Sequence, residues 1–148
     1  MKTTLLDHTR SETASDIREV MQVAYAVEKE ILGVEDFYPL RRTAEAIAAA
    51  ESTFFGIHVE GTLAGVIELE IDPDCVNIAS LVVRPEHSRR GIATSLVSRA
   101  FGRGLIVTVS TGAANAPAIA LYESLGFKIE RSFRTEDGIP MVGLRGEG

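Results

Sequence analysis

A chain of 148 residues, 45 % of them apolar and with a formal net charge of −6 at neutral pH, is expected to form one domain over residues 1–148, with enough apolar material for a proper core. A lone cysteine, Cys75, and three scattered histidines, His8, His58 and His87, exclude an internal disulfide scaffold and supply no metal-ligand spacing, while the negative balance argues against general nucleic-acid binding. The start of the chain is polar after two leucines and no apolar run approaches membrane-spanning length, so a cytoplasmic protein with no membrane partner is expected.

A short strand is expected at Lys2 to Leu6. "TASDIREVMQVAYAVEKEILG" then places Ile17, Val20, Met21, Ala24, Val27 and Ile31 at helical intervals, with Thr13 and Asp16 as a capping box and Gly33 as the stop. "GVEDFYPL" reads as a loop and "RRTAEAIAAAES" as a short alanine-rich helix. "TFFGIHVE" and "TLAGVIELEI", joined by an "EG" turn, read as a hairpin, and "DPD" turns the chain into a third strand, "CVNIASLVV". From Gly91 the period changes: Ile92, Ala93, Leu96, Val97, Ala100 and Phe101 share one helical face, and "GRG" closes that helix before the strand "LIVTVS". Strand, crossover helix and strand make a parallel pair. Asn115 can cap a further helix with Pro117 in its first turn and Gly126 at its end, and "KIERSFR" and "PMVGLR" follow as strands around the turn "TEDGI". The fold class is mixed α/β, with antiparallel strands first, a parallel pair in the middle and about four flanking helices.

Between Arg84 and Arg103 an otherwise acidic chain gathers five arginines (Arg84, Arg89, Arg90, Arg99 and Arg103) against a single acid, Glu86. A solvated helix face is one explanation. The other lies in position, because "SRRGIA" opens a helix, where unpaired N–H groups and the positive end of the macrodipole attract phosphate. Gly91 and Ala93 allow close approach to the backbone, and Arg89 and Arg90 add charge, so the turn suits a pyrophosphate. Other phosphate motifs fit poorly. There is no GxxxxGK[ST], and the only GxG precedes a strand where a dinucleotide fingerprint should follow one.

"LVVRPEHSRRGIATSLV" resembles the acyl-CoA binding motif of the GNAT superfamily of N-acetyltransferases, an extended segment followed by [Q/R]xxGx[G/A], and "NAPAIALYESLGF" resembles the second hallmark of that family. Ser88 departs from the pattern, standing where Gln or Arg is usual. The resemblance implies a GNAT-like sheet whose middle parallel strands splay, with acetyl-CoA as acyl donor and no metal. It implies that backbone N–H groups of Arg89, Arg90, Gly91, Ala93 and Thr94, in a turn that includes Ser88 and Ile92, hold the pyrophosphate. Backbone groups of Leu81, Val82 and Val83 would pair with the pantetheine arm, Asn115 would contact the cofactor near that arm, and Tyr122 would sit close to the thioester sulfur.

Chemistry at a thioester sets further requirements. A backbone N–H from Leu81 to Val83 would stabilise the carbonyl oxygen. A phenol with pKa about 10 is a weaker acid than a thiol near 8.5, so Tyr122 is expected to stabilise the departing sulfur mainly by hydrogen bonding. An ammonium acceptor must first lose a proton, which calls for a base. Glu68 and Glu70, two apart on one face of a strand, are the candidates, although a strand glutamate is usually just part of the solvent face. Glu30, Glu35 and Asp36 at the end of the first helix are either attractors for a cationic acceptor or surface residues, and Phe37 and Tyr38 either line an entrance or simply pack. Cys75 reads as a small core residue and His87 as a loop histidine beside the turn.

The leading expectation is a GNAT-type N-acetyltransferase that passes an acetyl group directly from acetyl-CoA to a primary amine of a small molecule or peptide. The alternative is a non-catalytic acyl-CoA-binding or sensor module. Nucleic-acid binding through the arginine segment is disfavoured by the overall charge and the few aromatics. A homodimer is compatible with such a domain, although no residue pattern marks an interface.

Overall fold

In the computed structural model, which describes residues 1–102 and 104–147, every expected strand and helix forms. The elements in order are β1 (Thr4–Leu6), α1 (Ser11–Leu32), α2 (Ala44–Ala48), β2 (Thr53–Val59), β3 (Thr62–Ile71), β4 (Cys75–Val83), α3 (Ile92–Phe101), β5 (Ile106–Gly112), α4 (Ala116–Ser124), β6 (Lys128–Arg134) and β7 (Pro140–Glu147), with 3-10 turns at Tyr38–Arg41 and Pro85–His87. The seven strands form one sheet in the order β1-β2-β3-β4-β5-β7-β6. Among the described residues only β4 and β5 run parallel, joined by α3 as a crossover. The two faces carry separate cores. Ile17, Val20, Met21 and Ile47 of α1 and α2 pack on Phe54, Val66 and Val82, and on the other face Ile92, Leu96 and Val97 of α3 meet Ile67, Leu69, Ile78 and Tyr122.

Helix α1 corrects two expectations. It begins at Ser11 with Arg10 as N-cap and no side-chain cap, so Thr13 and Asp16 lie inside the helix and form no capping box. A turn at Asp7, whose carbonyl accepts from the Arg10 N–H at 3.2 Å and whose carboxylate accepts from Thr9, leads the chain into the helix earlier than the periodicity suggested. Val27 and Ile31, expected in the apolar stripe, are exposed, as is Val23. The reason is rotational. With 3.6 residues per turn, eleven residues make about three turns, so Glu28 returns to the side of buried Ile17 while Val27 lies about 80° round the helix from it; Ile31, nearer that side, is exposed in the last turn of the helix. Leu32 ends this inward side by packing over Gly112 of β5, which has no Cβ to obstruct it.

A bulge in β4 reorganises the middle of the sheet. Glu68 pairs with Ser80 but Leu69 with Ile78, leaving Ala79 as the extra residue. Side-chain parity reverses there: Val76 and Ile78 face α3, whereas Val82 faces α1. Pairing of β4 with β5 stops at Ile78 and Val109, so beyond that point the strands part. Gly65 of β3 lets α3 come down against this region, since a Cβ there would lie 2.7 Å from Ile92 Cγ2. The helix ends at Phe101 followed by Gly102; Arg103, the middle of the expected "GRG" stop, lies outside the described residues.

Candidate functional site

The parting of β4 and β5 opens a cleft of about 1140 Å³, larger than the ~300–1,000 Å³ of ordinary small-molecule pockets and therefore roomy enough for two reactants. One end is formed by the start of α3. Gly91, the N-cap residue, adopts φ 79°, and Arg89, two residues earlier, adopts φ 63°. Left-handed conformations at such close spacing turn successive N–H groups to one side, an arrangement that binds anions. A non-glycine residue holds that conformation at a cost of ~1–2 kcal/mol. Among the described residues no side chain caps α3, in contrast to α2 and α4, which are capped by Thr43 and Asn115. Ser88, Arg89, Gly91, Ile92, Ala93 and Thr94 all line this end of the cleft, and the donor set suits a diphosphate.

The arginines divide by task. Arg89 lines the cleft, while Arg90 is exposed outside it. Arg84 binds the Leu63 carbonyl at 2.8 Å and Glu19 at 2.9 Å, tying the end of β4 to β3 and α1. Arg99 stacks over Phe55, its guanidinium carbon 4.3 Å from the ring centre. Among the described residues of the cluster, positive charge at this end of the cleft thus comes mainly from Arg89 and the helix itself. His87 also lines the cleft, and its Nδ1 is buried with no hydrogen-bond partner among the described residues.

In the middle of the cleft, Leu81 and Val83 present their side chains, whereas Val82 turns its side chain to the opposite core. Because the parallel pairing has ended, the β5-facing backbone groups of residues 79–83 have no strand partner. This edge can accept an extended ligand arm as an added strand.

The far end gathers Tyr25, Glu28, Asn115 and Tyr122. Asn115 accepts from the Ala118 N–H at 3.2 Å as the cap of α4, and its amide nitrogen donates to Glu28 Oε1 at 3.4 Å. Tyr122 lies seven residues further on, two turns along the same helix. It is 4 % exposed, packs edge-on to Phe127 with ring centres 5.3 Å apart, lines the cleft, and has no side-chain hydrogen-bond partner among the described residues. Burial, reinforced by Glu28 and Tyr25, pushes that phenol well above its ordinary pKa. Burial also pushes the Glu28 carboxyl up, against the pull of the Asn115 amide.

Glu68 and Glu70 do not share this end. Glu68 is buried beneath the α1–α2 side, taking two hydrogen bonds from Arg42 (2.6 and 2.9 Å), one from Ser52 (2.6 Å) and one from Ser80 (3.0 Å). Burial alone would raise its carboxyl, but these donors outweigh it and hold the group below the usual carboxylate value. Glu70 is exposed and accepts from Asn77 at 2.7 Å. Asp36, Phe37 and Tyr38 line the cleft, with Asp36 paired to Arg41, and so do Glu136 and Asp137 of the β6–β7 turn. Glu30 and Glu35 are exposed and are not among the lining residues. Glu28 and Tyr25 are not marked by the sequence pattern, because they interrupt the apolar periodicity of α1. The signal for Glu28 was its return, eleven residues on, to the side of Ile17.

The acetyltransferase (GNAT) family model matches residues 15–127. The UPF0157 protein YqkA of Bacillus subtilis (strain 168) is 30 % identical over 137 residues, which are 90 % of this chain but 40 % of that protein, so the chain spans less than half of this relative's length. The ribosomal-protein-S18-alanine N-acetyltransferase from Escherichia coli matches with TM-score 0.76 and 21 % identity, over 99 % of this chain and 92 % of its own. The PaiA N-acetyltransferase from Thermoplasma acidophilum, solved in complex with coenzyme A, matches with TM-score 0.75 and 18 % identity, over 97 % and 98 % respectively. At these identities the two structures speak to the fold.

Proposed function

The chain belongs to the acetyltransferase (GNAT) family, and from that premise we propose that it is an N-acetyltransferase moving an acetyl group from acetyl-CoA to a primary amine of a small molecule or peptide. The observation that carries this reading is the continuity of one cleft, from the uncapped start of α3, past the unpaired edge of β4, to Tyr122 and Glu28. The order matches a diphosphate, an extended arm and a thioester.

Backbone N–H groups of residues 89–94 would hold the diphosphate, with the Arg89 side chain adding charge. Ser88, exposed at the rim, takes no part beyond its backbone, so the family's usual long side chain at that position is replaced by the neighbouring arginine. The edge of Leu81 to Val83 would align the arm and offer an N–H to the carbonyl oxygen, fixed before any charge develops there. Acetyl-CoA, when bound, supplies the activated acetyl carbon, which forms a bond to the amine nitrogen as the carbon–sulfur bond breaks. Tyr122 would donate a hydrogen bond to the departing sulfur; its raised pKa opposes complete proton transfer and favours that hydrogen bond. Glu28 would remove the proton of the incoming ammonium, a task suited to a carboxyl whose pKa burial has raised. Glu68, saturated with donors, would hold the site together without accepting that proton.

The test is calorimetric titration with acetyl-CoA followed by measurement of free thiol on adding an amine panel. Submillimolar binding with amine-dependent thiol release is expected. Binding without release from any amine would favour an acyl-CoA sensor, and the absence of binding would remove the proposal altogether.

A further inference from the structure

A chain of side-chain hydrogen bonds runs from the buried ion pair to the cleft wall. Arg42 donates to both carboxylate oxygens of Glu68 at 2.6 and 2.9 Å. An ionised carboxylate can only accept, so the Ser80 hydroxyl, 3.0 Å from Glu68 Oε1, commits its single proton there. The contact between Tyr25 Oη and Ser80 Oγ, 3.1 Å, then requires Tyr25 to be the donor. With its proton directed at Ser80, the Tyr25 oxygen has only lone pairs left for the cleft, which both residues line. The β4 bulge at Ala79 permits this, because it brings Ser80 to the α1 side of the sheet. Tyr25 is further fixed by Phe37, edge-on at 5.8 Å between ring centres. Glu28, three residues along α1 and facing the same cleft, adds a carboxylate.

We infer that Tyr25 Oη and the Glu28 carboxylate together form the subsite that receives the nitrogen of the acceptor, a surface of hydrogen-bond acceptors shaped for an ammonium group and mismatched to groups with a single donor such as alcohols. This rests on the proposed acetyl transfer and adds the group that recognises the amine. Tyr25 and Glu28 touch the nitrogen. Ser80, Glu68 and Arg42 are positioning residues that act by setting the direction of the Tyr25 proton.

Steady-state thiol release with spermidine, tobramycin and a peptide bearing a free α-amino group tests this, alongside the acetyl-CoA Kd from calorimetry. A hydrogen bond to a charged group contributes ~1.5–3 kcal/mol, so Tyr25→Phe is expected to raise the KM of the best amine about tenfold or more. Ser80→Ala is expected to raise it several-fold and Ser80→Thr, which keeps the hydroxyl, to restore it, with the acetyl-CoA Kd unchanged in all three. If Tyr25→Phe does not fold, the Ser80 pair carries the test. Unchanged amine KM in Tyr25→Phe and Ser80→Ala, or an acetyl-CoA Kd weakened in step with KM, overturns the inference while leaving acetyl transfer intact. A wild-type protein that binds acetyl-CoA yet releases thiol with none of the three amines overturns the transfer reading itself, and the subsite with it.

Discussion

Glu28 and Tyr122 illustrate how environment assigns chemistry to side chains that are unremarkable by type. Burial makes both harder to ionise, which favours a base for Glu28 and a hydrogen-bond donor for Tyr122. A carboxyl such as that of Glu28, whose folded pKa is raised above its unfolded value, destabilises the native state wherever it is ionised, and the penalty vanishes as the pH falls below both values. Glu28→Gln should therefore raise Tm near neutral pH and change it little in acid, while lowering turnover by about 100-fold or more, because a positioned base contributes at least that much. Thermal melts at several pH values and steady-state kinetics check the two halves separately. Tyr122→Phe should lower kcat by at least about tenfold and leave the acetyl-CoA Kd within about twofold, since the proposed role of the hydroxyl is confined to the departing sulfur; equal kcat in mutant and wild type would take the phenol out of the reaction. Of the candidate residues, Asn115 and Tyr122 stand in a recognisable helix pattern and were legible. Glu28 and Tyr25 were hidden because a polar group on an otherwise apolar helix is indistinguishable in sequence from a turn of its solvent face.

Among the elements, α3 bears the most weight: its start faces the cleft and its apolar side seals one core. Its placement depends on Gly65 in β3, where a Cβ would lie 2.7 Å from Ile92 and 3.2 Å from Leu96. Gly65→Ala is expected to destabilise the protein by about 1–3 kcal/mol through overpacking, measured by urea unfolding, and to weaken acetyl-CoA binding because the first turn of α3 must shift. The existence and order of the elements could be read from alternation and helical period. The bulge at Ala79 could not, since it is defined by the pairing of Glu68 with Ser80 and of Leu69 with Ile78 on two different strands. Nor could the length of the parallel pairing, which ends at Ile78 and Val109 and thereby creates the cleft.

For the molecule as a whole, two responses follow. The Arg42–Glu68 pair joins the α2 approach to the sheet. Glu68 has a depressed folded pKa, so its stabilisation is present above the ordinary carboxylate value of about 4.3 and is lost as the pH falls through the folded value. Glu68→Gln should lower stability near neutral pH by about 1.5–3 kcal/mol, with the gap closing in acid; chemical denaturation across the pH range checks it. Acetyl-CoA at about 100 times its Kd should add about 2.7 kcal/mol and raise Tm by about 5–10 °C, an effect that dialysis should reverse. A melt unmoved by saturating acetyl-CoA would contradict the cleft's assignment.

The amino-acid sequence by itself determined the elements, their order and the phosphate-favouring turn at the head of α3, because period, capping and turn chemistry are properties of neighbours along the chain. It also pointed to Tyr122 through a local motif. Tertiary structure alone decided that Glu68 is spent on Arg42, that Arg89 lines the cleft while Arg84, Arg90 and Arg99 do not, and that Tyr25 and Glu28 share that cleft with Tyr122. Those outcomes depend on helix rotation, strand register and burial, which arise from contacts between residues far apart in the chain.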